Sequence, residues 1–228
     1  MPPTALARRR PAAVRAGLMR LLVAITVGVA ATVGTSQALA GVSAIPAPVA
    51  SGGARTMSAP AELGAARRFL RLTAERLDLM KAVMESKWLS RSPIQDRAQE
   101  QRVVQGALAI TRKLHLADAG VRRIFAQEIL AAKEVQLGWG TRWLNYGFPR
   151  DIKPPDLTRL RGHIAALTPK LIDALVGLGQ LRCHPGARVT LTRASRQLIR
   201  TPYVTDRRRA VLIAALLSVH RVGSSCRS

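Results

Sequence analysis

Acidic residues are scarce. Thirteen Asp+Glu stand against 36 Lys+Arg in 228 residues, a formal charge of +23, which excludes an acidic disordered chain. Aromatics make up only 4%. Few aromatic and β-branched side chains beside many Ala, Leu, Arg and Gln argue against an all-β fold, because straight side chains lose little rotamer freedom in a helix. With only Cys183 and Cys226, the chain is no disulfide-dense miniprotein. The four histidines, His115, His163, His184 and His220, have no zinc-ligand spacing with them, so no metal is expected. There is no internal repeat and no glycine-rich nucleotide fingerprint. No apolar run reaches the roughly 20 residues that span a bilayer, and Val211 to Val219, nearly all apolar, reads as core.

What is present begins with five arginines (Arg8, Arg9, Arg10, Arg15, Arg20) and no acid, then the apolar run Leu21 to Gly34 and Ser36-Gln37-Ala38-Leu39-Ala40. A charged start, a short apolar stretch and an A-x-A site make residues 1–40 a signal peptide, cut after Ala40. A membrane anchor is the alternative, for which the run is too short. Pro11-Ala12-Ala13 replaces the hydrophobic residues that a twin-arginine signal has after its arginines. Residues 41–60 are small, rich in Pro, Gly and Ser, and aperiodic; they read as a flexible lead-in. Loss of the signal removes five arginines and leaves the mature chain at +18, so an anionic ligand is the first expectation. In an oxidising compartment Cys183 and Cys226 can pair and tie the tail to the body. Two free thiols are the alternative, since Cys226 sits among Gly and Ser at the end.

Residues 61–228 read as one all-α domain, a bundle of about six helices. Leu70, Leu77, Met80, Met84 and Trp88 recur at three, four and seven, predicting one long helix from Glu62 to Arg91 that Ser92-Pro93 stops. Asp96 caps a second helix to about Leu114. Asp118 caps a third to about Leu144, with a loop or lid over Gly138 to Pro155. Asp156 caps a fourth carrying Leu157, Leu160, Ile164, Leu167, Leu171, Leu175 and Leu178. Pro185-Gly186 precedes a short helix from Ala187 to Arg200, and Tyr203 to Val222 forms the last.

Arg76 and Lys87 lie eleven residues apart, about three helical turns plus 20°, and so project from one face roughly 16 Å apart. Met80 and Val83 lie between them as an apolar floor. Asp96 follows the Pro93-Ile94 turn, where a simple N-cap is the bland explanation. Ala132, Lys133 and Gln136 fall on the third helix and Lys170 on the fourth; singly, each is an ordinary surface residue.

Together they form a pattern. Ala74-Glu75-Arg76-Leu77, Lys87-Trp88, Pro93-Ile94-Gln95-Asp96 and Ala131-Ala132-Lys133-Glu134-Val135-Gln136 closely resemble the exported, gamma-subclass, all-helical chorismate mutases of the type II fold, over about residues 65–180. The resemblance implies that Arg76 binds a substrate carboxylate and that Lys87 contacts a carboxylate and the ether oxygen. It implies further that Asp96 holds the ring hydroxyl or orders the pocket, and that Gln136 approaches the ether or hydroxyl side. Lys170 matches a position where some relatives carry a closing arginine, and an ammonium lacks the guanidinium fork. The sequence departs from the pattern at Gln99, where relatives usually have arginine, and at Ala132, where some have a hydroxyl or amide. Arg102, one turn beyond Gln99, or Arg97 can replace the missing charge.

The implied reaction is the unimolecular rearrangement of chorismate to prephenate. It needs no cofactor, nucleophile or nucleic acid, only restraint of a folded dianion and cations where the breaking C–O bond gathers charge. A homodimer, free of the membrane once the signal is cleaved, is implied by the same resemblance. The competing reading is a non-enzymatic exported basic protein that binds anionic polymer or lipid, with Arg122-Arg123 and Arg207-Arg208-Arg209 as contacts.

Overall fold

The computed structural model describes residues 59–153 and 155–226. The signal peptide, and the lead-in up to residue 58, lie outside the described residues. Among the described residues there are seven α-helices: α1 (Ala59–Asp78), α2 (Met80–Leu89), α3 (Arg97–Lys113), α4 (Asp118–Tyr146), α5 (Leu157–Val176), α6 (Ala187–Leu198) and α7 (Asp206–Leu217). A 3-10 turn, Leu181–Cys183, follows α5.

The expected single long helix is divided at Leu79, which raises the count from six. Leu79 keeps right-handed helical backbone angles, and the Val83 amide donates to its carbonyl at 3.1 Å, so the helical path resumes at once. At the division, the Thr201 hydroxyl donates to the Asp78 carboxylate, tying the junction to the segment after α6.

The helix starts follow capping chemistry. The Gln99 amide donates to Asp96 Oδ1 at 3.0 Å, and the Thr158 amide to Asp156 Oδ1 at 2.8 Å; each satisfies an orphan amide of a first turn. Asp118 differs from expectation. Ala117 occupies the cap position of α4, and Asp118 instead binds Arg112 at 2.7 Å.

The expected lid from Gly138 is also corrected: α4 runs on to Tyr146. Gly138 and Gly140 serve packing there. A Cβ on Gly138 would meet Tyr203 Cγ at 2.1 Å, and one on Gly140 would meet Met84 Cε at 2.9 Å. Tyr203 crosses this stretch of α4 and lies edge-on to Trp139, while Trp88 of α2 packs edge-on against Trp143. The last helix is shorter than expected, with Thr205 accepting the Arg208 amide as its cap.

The core draws on every helix. α1 packs on α5 and α6; α4 packs on α2, α3 and α7; α6 packs on α7. Phe69, Leu70 and Leu77 of α1 meet Leu108, Ile124, Phe125, Leu171 and Leu175 in one buried cluster. Burying each such side chain contributes about 1.5–3 kcal/mol. The tail is held by three devices. Cys183 and Cys226 form a disulfide with Cα atoms 5.5 Å apart. Arg182 donates to the Ser224 carbonyl at 2.6 Å. The Ala117 and Val222 amides donate to the carbonyls of His220 and His115, both at 2.9 Å.

Candidate active site

One cavity of about 430 Å³ opens among α1, α2, α3, α4 and α5. Its floor is the apolar stripe read from the sequence, Met80 and Val83 with Ala107 and Ala132, all buried. Arg76 and Lys87 line it from either side of that stripe and are only 5% and 7% exposed. For two cations, such burial is tolerable only with partners.

The structure supplies those partners. Lys87 Nζ donates to the Ile94 carbonyl at 2.8 Å, so the Pro93-Ile94 turn grips the lysine as well as ending the helix. Burial, then the nearby Arg161 guanidinium, holds the Lys87 ammonium below the usual lysine pKa, and the Asp96 and Glu100 carboxylates oppose this. Arg76 Nη1 lies 3.5 Å from the fully buried Glu128. Its Nε is buried with no protein acceptor, which leaves a donor for a ligand.

Gln136 lines the cavity from α4 at 5% exposure. Its amide nitrogen reaches the Ala132 carbonyl at 3.2 Å, while Oε1 is buried and unpartnered. The amide therefore has hydrogen-bonding capacity to turn toward a bound molecule. Ala132 presents only a methyl group. Lys133 lines the rim and binds Glu100 at 2.6 Å.

Asp96 caps α3 and lines the cavity. The Gln99 amide hydrogen bond, followed by the charges of Arg161, Arg102 and Lys87, holds its carboxyl below the usual aspartate pKa. Gln99 and Arg102 both line the cavity, and the Arg102 guanidinium donates to Gln99 Oε1 from Nη2 at 2.8 Å and from Nε at 3.2 Å. Arg97 is exposed and outside the lining.

Lys170 is placed differently from expectation. It is exposed on α5 and does not line the cavity. The cation that α5 brings to the cavity is Arg161, 3.4 Å from Asp96 Oδ2. Sequence reasoning did not single it out, having read α5 by its apolar period and Lys170 alone. The signal available was the face shared with Ile164, Ala165 and Thr168, three, four and seven residues on. Glu128 was missed too, hidden in an apolar helix face where its partners lie 55 and 52 residues away. Among the described residues no group of three or more His, Cys, Asp or Glu is placed to hold a metal ion.

Residues 67–137 match the family model for chorismate mutase type II. The secreted chorismate mutase of Yersinia pestis is 32% identical over 104 residues, 46% of this chain and 55% of that protein. The secreted chorismate mutase of Mycobacterium tuberculosis is 24% identical over 145 residues, 64% of this chain and 73% of that protein. The crystal structure of a chorismate mutase from Burkholderia thailandensis superimposes with a TM-score of 0.61 at 26% identity, covering 67% of this chain and 98% of the other. The chain thus spans about half the length of its Yersinia relative and nearly all of the solved Burkholderia structure. The matched segment holds Arg76, Lys87, Asp96 and Gln136, the residues that converge on the cavity, and over that segment the chain is similar to the type II chorismate mutases.

Proposed function

We propose that the protein converts chorismate to prephenate in the cavity described above, and that it does so after export. The observation that carries the reading is the pair of buried cations, Arg76 and Lys87, flanking a buried apolar floor within one cavity. A flexible dianion gains most from being held folded, with its ends near bonding distance, and from a cation beside the oxygen of the breaking bond. Arg76 takes one carboxylate through its outward N–H groups. Lys87, fixed by the Ile94 carbonyl, stands at the ether oxygen. Gln136 adds a neutral hydrogen bond to the same region, and Arg161 and Arg102 close over the remaining carboxylate. Because water is largely displaced, each charge acts more strongly than it would in bulk solvent.

Three observations support export. Residues 1–40 have the signal-peptide pattern, with cleavage after Ala40. Two of the similar proteins, those of Yersinia pestis and Mycobacterium tuberculosis, are secreted chorismate mutases. The Cys183–Cys226 disulfide suits an oxidising compartment. A second copy of the chain completes the reading as a homodimer, which light scattering on the mature protein checks.

The decisive assay follows loss of chorismate absorbance with purified mature protein. Lys87→Ala is expected to lower kcat/KM by about 10²-fold or more, the size of loss seen when a donor to a developing oxyanion is removed. Wild-type protein that leaves chorismate unchanged refutes the activity, and a Lys87→Ala variant with wild-type kcat/KM refutes the role given to Lys87.

A further inference from the structure

Glu128 is fully buried, does not line the cavity, and has no part in the mechanism above. It sits on α4 one turn before Ala132 and two before Gln136, on the face turned toward α1. Two groups of α1 reach it. The Thr73 hydroxyl, itself fully buried, donates to Oε1 at 2.6 Å, and Arg76 Nη1 stands 3.5 Å from Oε2. The other face of Arg76 looks into the cavity.

A carboxylate in this position is expensive to keep. Burial pushes its pKa up, opposed by the Arg76 charge and then by the Thr73 hydrogen bond. A structural role alone would be met more cheaply by an apolar side chain, since buried ion pairs add little net stability. The arrangement makes sense if the position of the guanidinium is what matters. Arg76 is long and has several rotamers, and a fixed partner behind it decides which one faces the ligand.

We propose that Glu128 is a positioning residue for Arg76, the far end of a Thr73–Glu128–Arg76 chain that fixes the guanidinium plane against the cavity wall and shares its charge with a bound carboxylate. The 3.5 Å separation leaves room for this sharing. With Glu128 ionised, part of the Arg76 charge is committed to the protein. With Glu128 protonated, its carbonyl oxygen still accepts from Arg76, and the whole charge faces the ligand. Affinity for an anionic substrate therefore rises as pH falls through the raised pKa of Glu128. Among the described residues Arg76 is the one charge acting on Glu128, so the effect is carried by this pair.

The inference rests on the chorismate reading, and its test separates the two. Chorismate turnover is measured across pH 5 to 8 for wild type, Glu128→Ala, Glu128→Gln and Thr73→Val. Glu128→Ala is expected to raise KM about tenfold or more at neutral pH with a smaller change in kcat, because Arg76 holds a carboxylate in ground and transition states alike. Glu128→Gln keeps an acceptor for Arg76 and leaves the whole charge to the ligand, so its KM at neutral pH is at or below that of wild type and loses the wild-type fall toward acid pH. Thr73→Val, which keeps the carboxylate, raises KM about threefold. Should Glu128→Ala fail to show native helical circular dichroism, Glu128→Gln and Thr73→Val decide the matter. Superimposable KM profiles for wild type and Glu128→Gln, or an unchanged KM in Thr73→Val, overturn the positioning role while leaving the activity intact. A wild-type protein inactive on chorismate overturns both.

Discussion

At the scale of single residues, the cavity contains a substitution and its neighbour. Gln99 is neutral, yet its side-chain oxygen accepts two hydrogen bonds from Arg102, and both line the cavity. The glutamine thereby aims a cation toward the mouth that it does not itself carry. Removing either partner should cost about the same. Gln99→Ala and Arg102→Ala are each expected to raise KM about three- to tenfold, and the double variant little more than either, as for coupled neighbours. Additive effects in that cycle would show that the two act separately. If Gln99→Arg speeds turnover, the site has an unfilled charge position that Arg102 does not reach.

Lys87 gives a second prediction at this scale. Its ammonium is held below the usual lysine pKa by burial and by Arg161, and it must be protonated to face a developing negative charge. As pH rises through that lowered pKa the charge is lost, so kcat/KM should fall on the alkaline side at a lower pH than an ordinary lysine would dictate. A bound dianion favours the charged ammonium, and the corresponding limb of kcat should lie at higher pH. A flat kcat/KM profile through that range would remove Lys87 from the charge-bearing role. The floor residues and the Arg76/Lys87 face were legible in the sequence because helical period alone puts them together. Arg161 and Glu128 were not, because what selects them is packing between helices that no local spacing reports.

At the scale of elements, the sequence marked helix starts better than helix interiors. Asp96 and Asp156 cap as their chemistry requires, because a cap is decided within three or four residues. Gly138 and Gly140 misled, since a glycine that ends a helix and a glycine that admits a neighbour look alike in one dimension. The contact with Tyr203 comes from a segment 65 residues away. That contact is testable: Gly138→Ala improves local helix propensity by up to about 1 kcal/mol, yet its Cβ would fall on the Tyr203 ring. We expect a net loss of stability of roughly 1–3 kcal/mol, read as a lower urea midpoint. Gly162, whose Cβ would meet nothing, makes the control, and Gly162→Ala should stabilise. Equal stabilisation by both would mean that Tyr203 does not press on α4.

At the scale of the whole molecule, the fold class was set by composition, and the tail was left open by it. Both fates of Cys183 and Cys226 were consistent with their spacing; only the folding back of residues 220–226 onto the 3-10 turn decides between them. The bridge closes a 43-residue separation, for which chain entropy predicts about 4 kcal/mol. Reduction is therefore expected to lower the melting temperature by on the order of 10 °C, measured by calorimetry with and without reductant. A shift below about 2 °C would show that the Arg182 and backbone contacts hold the tail unaided. The cavity lies among α1 to α5, and the tail docks on the 3-10 turn and on the connection between α3 and α4 through residues that do not line it, so turnover at low temperature should survive reduction.

The rim of the cavity has a kinetic consequence. Glu100 on Lys133 and Asp96 on Arg161 are internal stand-ins, side chains already occupying cations that an incoming acid would use. Capture is then an exchange of one carboxylate for another, and its net strength is a difference, not a sum. Such a site holds its guest lightly. For the dianion proposed above, the same exchange that weakens capture eases release, since each cation returns to a carboxylate of the protein.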